Sequence, residues 1–392
     1  MFFSITLSIL NLKFSKMKLC TILMLLTVVS FGACKDDPEL QKPTPEGDNP
    51  GETSGVVEYE GNWYQPGDTI YGYKDYVYLV VGDAASPLLL GVPHDGIAEG
   101  SPAIPESGTT GRDIFTHPLA DAVAELFEDD TQLKPWIMVN TISRKRLDPN
   151  TYPDDAPGRY TNADAMSTYE SYHELMHLAR TTMSDAQENG NGGLFLDLHG
   201  HAHKYANGHE EPYVSITTGN TVYDDFIHQS DLGYGISNYS LEQSDAYLDG
   251  IADSSTISYL AKAHPEVSFS ELIRGPESFG GLLQAENLVA VPSDVMPVLD
   301  RDQLLFGGTA ASPKRRPYFN GGYCTRAYGT LLLGSTPGFD DNIVAIQMET
   351  PGINVRNNSG IRERSSHQIK RAIINYLNIW FGYNFNNSPY PY

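Results

Sequence analysis

The stretch Leu194–His203 reads Leu-Phe-Leu-Asp-Leu-His-Gly-His-Ala-His and admits few architectures. A nearly unbroken apolar run behind Gly192 and Gly193 fits a strand buried on both faces, and such strands belong to parallel sheets covered by helices. His199 stands where that strand stops, the end at which ligands gather in open α/β sheets. His199, His201 and His203 alternate, with Asp197 two residues ahead, so the stretch offers imidazole nitrogens and a carboxylate able to orient one of them. It reads either as half of a metal site or as a strand end whose loop histidines face solvent, and the rest of the chain has to decide.

Further strands are expected at Asp75–Val81, Leu88–Val92, Trp136–Asn140 and Ile343–Met348. Helical periodicity lies between them. Thr116 can cap a helix with Leu119, Val123 and Leu126 on one face and Pro118 in its first turn. Longer helices are expected over Asp164–Gln187, Ala246–Ala263 and Ser366–Phe381. Strands alternating with helices argue for an α/β fold with a mixed, largely parallel sheet and helices on both faces.

Four other segments carry chemistry. Val92-Pro93-His94-Asp95-Gly96 puts His94 at a second strand end, with Glu99 shortly after a glycine turn. A zinc hydrolase takes three protein ligands and leaves one position open. His94, Glu99 and His199 meet that requirement, with Asp95 as an alternative oxygen ligand and His201 as an additional or substitute nitrogen. Gln347-Met348-Glu349 delivers Glu349 to a third strand end, where a carboxylate beside a metal can act as general base. The segment Tyr318–Gly329 combines Gly321 and Gly322 with Tyr323 and Arg326, and Arg144 follows the strand ending at Asn140. Either arginine can clamp a substrate carboxylate through paired hydrogen bonds.

The N-terminus has a separate purpose. Lys18 precedes an apolar run, Leu19–Phe31, too short to span a bilayer, which closes on Gly32-Ala33-Cys34. Small residues before a cysteine resemble a bacterial lipobox, which implies cleavage before Cys34 and lipidation there. Lys35-Asp36-Asp37 resembles the acidic export tag of surface lipoproteins. The expected organisation is a signal peptide over 1–33, a tether over 34–56 rich in Pro, Glu, Asp and Gly, and one catalytic domain over 57–392. The product is expected on the outer membrane, surface-exposed or periplasmic, with membrane contact through lipid alone. Loss of Lys13, Lys16 and Lys18 with the leader makes the formal charge of −23 more negative by three, which disfavours nucleic acid as a partner. Only Cys324 then remains without a role in export, so no disulfide within the chain can form.

The motifs gain force from their order. Pro93–Gly96, Arg144 with Asp148 and Asn150, the pair Tyr172-His173, Asp197–His199, Gly321–Tyr323, Tyr328-Gly329 and Gln347–Glu349 together resemble the N-formylglutamate amidohydrolase family over residues 88–382. That family is similar in fold to the zinc carboxypeptidase and aspartoacylase group, which implies a phosphorylase/hydrolase-like architecture, a zinc cofactor and cleavage of an amide bond in a small N-acyl amino acid or peptide. Asp95 stands for the family's serine, Pro149 for an apolar residue and Thr151 for its arginine. The last departure moves carboxylate recognition to Arg144 or Arg326, with Tyr323 beside the substrate. Export argues against N-formylglutamate itself, whose breakdown belongs in the cytosol. A carboxypeptidase-like exopeptidase and a non-catalytic glycan- or peptide-binding lipoprotein are the rival readings. The sequence is silent on oligomeric state.

Overall fold

The alternation of apolar side chains to two faces organises the computed structural model. Leu194, Leu196 and Leu198 join one hydrophobic cluster and Phe195 the other, so a single strand feeds two cores. The structure describes residues 57–108, 111–152, 162–187, 191–202, 213–214, 221–222, 228–299, 318–334 and 337–389. All belong to one unit running from Glu52 to Tyr392. Cys34, the rest of the segments expected to be leader and tether, and His203 lie outside the described residues.

Strands β1 (Val57–Tyr59) and β2 (Asn62–Tyr64) form a small hairpin, followed by β3 (Thr69–Tyr71), β4 (Val77–Val80) and β5 (Leu88–Val92). Helix α1 (Thr116–Thr131) leads to β6 (Trp136–Asn140), and α2 (Ala163–Ala186) leads to β7 (Gly193–His201). A second hairpin, β8 (Tyr213–Val214) with β9 (Thr221–Val222), precedes β10 (Ser230–Gly233). Short helices follow: α3 (Asn238–Leu241), α4 (Asp245–Asp249), α5 (Ser258–Ala263), α6 (Phe269–Arg274) and α7 (Phe279–Ala285). The chain then passes through β11 (Ala290–Val291), α8 (Tyr323–Tyr328), β12 (Ile343–Pro351) and α9 (Ser359–Phe381).

The main sheet has eight strands in the order β11-β10-β12-β7-β5-β6-β4-β3, parallel from β12 through β6 and antiparallel where β10 and β4 join. Leu119, Val123 and Phe127 of α1 and Ile369, Ile373 and Leu377 of α9 cover one face. Tyr172, Leu175, Met176 and Met183 of α2 cover the other. The expected α/β class with helices on both faces is thus observed. From β5 the chain moves outward to β6 by way of α1, then returns past β5 to β7 by way of α2. The carboxyl ends of β5 and β7 therefore flank the point where strand order reverses, the usual place for a ligand crevice. Among the described residues no helix is long and apolar enough to cross a membrane.

Two local expectations fail for identifiable reasons. The helix expected over Ala246–Ala263 is broken, because Ser255 Oγ and Thr256 Oγ1 donate to the backbone oxygens of Tyr234 and Ala345 at 2.9 and 2.6 Å, tying the middle of the segment to the sheet. Thr116 does not cap α1 but begins it. Phe115 is the N-cap at φ 69°, Thr116 Oγ1 donates to Asp113 O at 2.9 Å, and Phe127 rather than Leu126 is fully buried.

Gly233 is required where β10 meets the loop ahead of α8. A methyl group there would come within 2.3 Å of Gly321 N and 2.6 Å of Asn320 C. Gly233→Ala should destabilise the protein by about 1–3 kcal/mol, read as a lower urea midpoint. Gly250→Ala, whose new methyl group meets nothing nearer than 3.4 Å, should leave the midpoint unmoved. Equal midpoints for the two variants would refute the tight approach.

Candidate functional site

The parallel register of β5 and β7 brings their carboxyl ends side by side, and His94 and His199 meet there with ring centroids 4.6 Å apart. Both are buried. Their Nδ1 atoms converge on one oxygen, Asp113 Oδ2, at 3.3 Å from His94 and 3.2 Å from His199. Asp113 comes from the loop before α1, and its Oδ2 also accepts the N–H of Gly200 at 3.1 Å. Each imidazole is held from behind through its other nitrogen. His94 Nε2 lies 2.7 Å from Asp148 Oδ1; His199 Nε2 lies 3.2 Å from Asp197 Oδ2 and 3.1 Å from Asn150 Nδ2. A carboxylate behind an imidazole fixes ring orientation and raises its basicity toward a ligand on the far nitrogen.

Glu349 stands directly across from His199 in the β12–β7 ladder, its Oε1 3.9 Å from His199 Nδ1 and within 3.1 Å of the Gln347 amide that donates to it. Arg144 Nε donates to Asp148 Oδ2 at 2.9 Å, and its Nη1 lies 3.8 Å from Asp113 Oδ1. Arg356 is buried behind Gly200, where its guanidinium holds the backbone oxygens of Thr350 and His201. The cluster opens into a cavity of about 870 Å³ lined by Asp113, Arg144, Asn150, His199 and Glu349 among others.

Burial and close opposite charges shift the titratable groups of the cluster. Burial pushes the Asp113 carboxyl up, but hydrogen bonds from His199 and His94 reverse this and leave it far below the ordinary range. Asp148 behaves alike under His94 and Arg144. Burial opposes a charged His199, yet Asp197, Asp113 and Glu349 raise it well above an ordinary imidazole. Burial, with repulsion from Asp113, lifts Glu349 to about 7 against the pull of His199 and His94.

His94, Asp113 and His199 form a buried group that could hold a metal ion, with donor atoms all within 4.8 Å of one another. Two imidazole nitrogens and a carboxylate, each held by groups outside the cluster, are donor types that zinc takes. The group could therefore hold a metal ion, and its oxygen donor is Asp113.

That donor replaces Glu99, whose side chain is 66 % exposed and ion-paired with Arg146 at 3.1 Å. The turn after Gly96 carries Glu99 outward along the Ala98–Ile142 bridge, so nearness in sequence did not become nearness in space. Asp95 is turned away to accept the His117 N–H at 3.0 Å and to pair with Arg112 at 2.7 Å. His201 lines the cavity, but its Nε2 donates to Gln229 O at 2.7 Å. Arg144 also lines the cavity, whereas Arg326 and Tyr323 are not among its described lining residues. Within Tyr318–Gly329, α8 folds Arg326 Nε back onto Gly321 O at 3.1 Å and packs Tyr323 against Tyr152 and His173.

No family model and no curated protein matches the chain. Among solved structures it is similar to an N-formylglutamate amidohydrolase from Ralstonia eutropha JMP134, at 14 % identity and a TM-score of 0.36, over 75 % of this chain and 93 % of that one. A likeness that weak carries no argument about activity, so the functional reading rests on the site.

His173, of the Tyr172-His173 pair, lies in α2 and is a further residue of the site's support. Its Nε2 donates to Pro149 O at 3.0 Å and its Nδ1 lies 2.9 Å from the Tyr328 hydroxyl. One buried imidazole thus fastens the segment whose Asp148 and Asn150 support His94 and His199. Burial lowers its pKa to about 4, against a partial lift from the Pro149 carbonyl. Between about pH 6.5 and 4 the unfolded chain therefore binds the extra proton, so this group's contribution is complete above 6.5 and is lost as pH falls. Wild type should lose about 2 kcal/mol more stability than His173→Gln between pH 7 and 5, measured by urea unfolding at both pH values. Parallel losses in the two proteins would show that His173 is not held neutral.

Proposed function

We propose that this chain is a zinc-dependent hydrolase that cleaves the amide bond of a small N-acyl amino acid or peptide outside the cytoplasm. The observation that carries the reading is a buried carboxylate, Glu349, set beside the three-donor group at the mouth of a cavity large enough for such a substrate. His94, Asp113 and His199 would hold the ion, and when bound it supplies a Lewis acid that acidifies water and polarises a carbonyl. Glu349 takes the proton of the attacking water on its carboxylate and returns it to the departing nitrogen as the C–N bond breaks. Its lifted pKa suits both transfers, and the Gln347 amide holds Oε1 in place. Arg144 offers the cavity the guanidinium edge not engaged by Asp148 and helps to hold a substrate carboxylate.

Elemental analysis of purified residues 57–392 should find one zinc per chain, retained in Glu349→Gln and in Glu99→Gln and lost in His199→Ala and Asp113→Ala. Glu349→Gln should also reduce kcat by roughly 10²–10⁴-fold. Absence of metal from the wild-type protein after zinc is supplied would sink the mechanism and favour the binding-protein reading. Loss of zinc in Glu99→Gln would return Glu99 to the ligand set.

Lipid-anchored export belongs to the same proposal and rests on Gly32-Ala33-Cys34 and the acidic residues behind it. Labelled palmitate should enter the full chain expressed in a bacterial host and should be lost in Cys34→Ser. Equal labelling of both would remove the anchor from the account.

A further inference from the structure

We infer that the substrate joins an anionic group to a bulky apolar arm, the anion resting on Arg112 and the arm on Ile114 and Ile353. The inference rests on the hydrolase reading for its reaction but on separate residues for its content. Arg112 lies on the cavity wall one residue before Asp113, and its side chain is 39 % exposed. Its Nε donates to Asp95 O at 2.7 Å, and its Nη2 pairs with Asp95 Oδ1 at 2.7 Å. Asp95 is itself buried and fixed by the His117 N–H in the first turn of α1. Arg112 is therefore locked in one pose, and among the described residues its Nη1 has no hydrogen-bond partner. A guanidinium ordered before the ligand arrives loses little freedom on binding. Arg144 is more committed, with Asp148 on its Nε and Asp113 near its Nη1.

The apolar half follows from exposure. Ile114 is 45 % and Ile353 37 % exposed, and both line the cavity. Ile114 adjoins Asp113 in sequence, and Ile353 sits on the turn after β12 that also carries Arg356. Large aliphatic side chains kept in water beside a cluster of polar donors form a surface that an apolar ligand would cover. N-formylglutamate has nothing to cover it with: its acyl group is one carbon and its side chain ends in a second carboxylate. The matching class is an N-acyl amino acid with a free carboxylate and an apolar part, contributed either by the amino-acid side chain or by the acyl chain.

The test compares N-formylglutamate, N-formylphenylalanine, N-octanoylglutamate and the carboxamide of N-formylphenylalanine. Each is measured for kcat/KM on the zinc-loaded wild type and, by calorimetry without turnover, for binding to Glu349→Gln. At least one apolar compound should exceed N-formylglutamate by about tenfold or more in both readouts; which one tells whether side chain or acyl chain supplies the arm. Arg112→Gln, placed in the Glu349→Gln background for calorimetry, should weaken the free carboxylates by about tenfold or more and leave the carboxamide unchanged. Ile353→Ser should erase the apolar preference, so the test survives if Arg112→Gln does not fold. Tighter binding and faster turnover of N-formylglutamate than of every apolar compound would overturn this inference and leave the hydrolase standing. Apolar preference in calorimetry with no turnover of any compound would uphold the inference and overturn the hydrolase. Binding of none of the compounds would overturn the inference.

Discussion

Two imidazole nitrogens and a backbone N–H all aimed at Asp113 Oδ2 form the interaction on which the remainder of the site depends. A buried carboxylate is costly unless something answers its charge. Here Asp113, Asp148, Asp197 and Glu349 are all buried within a few ångströms of the two histidines, and the arginines Arg144 and Arg356 supply the opposite charge from the protein itself. Such an arrangement has a definite polarity. Carboxylates stand behind each ring, and the nitrogens they activate face inward to a common point. The same groups, if they served only packing, would have no reason to share one focus.

Holding that focus takes several elements that never touch it. β12 runs parallel to β7 and sets Glu349 opposite His199. The Asp148–Asn150 segment is fastened by His173 on Pro149 O and by the Cys324 N–H on Asn150 Oδ1 at 2.8 Å, so α2 and α8 both steady the supports of the histidines. Thr325 Oγ1 donates to Asp197 Oδ2 at 2.9 Å, fixing the carboxylate behind His199 from the same helix. Gly200 must lack a side chain, because a methyl group there would lie 2.3 Å from the Arg356 guanidinium that closes the back of the strand end. The aromatic and glycine-rich segment Tyr318–Gly329 thus supports the site through α8, while Tyr318–Gly322 line the cavity itself.

The sequence was legible where burial imposes a pattern. Leu88–Val92 and residues 136–139 carry no polar side chain because strands covered on both faces bury them, and the first polar residues mark where the strands stop. That made His94, His199 and Glu349 visible as strand-end residues. Asp113 was not visible, since it comes from an irregular loop with no periodic signal, and its partner Gly200 is remote in sequence. Glu99 misled for the complementary reason: it follows His94 closely, but a turn reverses direction and sends it to solvent beside Arg146. Side-chain bonds from Ser255 and Thr256 to the sheet broke a helix that periodicity alone favoured, a tertiary effect no local window contains.

The loop that delivers Asp113 also shows what the arrangement costs. Phe115 adopts the left-handed conformation at φ 69°, which disfavours a residue with a Cβ by roughly 1–2 kcal/mol. Thr116 closes the turn by donating its N–H and its hydroxyl to Asp113 O at 3.2 and 2.9 Å. The chain therefore accepts backbone strain to end one element with its carboxylate against the next strand. Strain of this kind persists where surrounding contacts over-determine the conformation, and here those contacts are the Gly200 N–H and the two histidines. A cation that binds these donors in the folded protein and finds them scattered in the unfolded chain adds its binding free energy to folding. Strain and buried charge then become the conditions under which the donors stay assembled before the ligand arrives, and the cavity beyond them inherits a fixed wall from which Arg112 and Ile114 project.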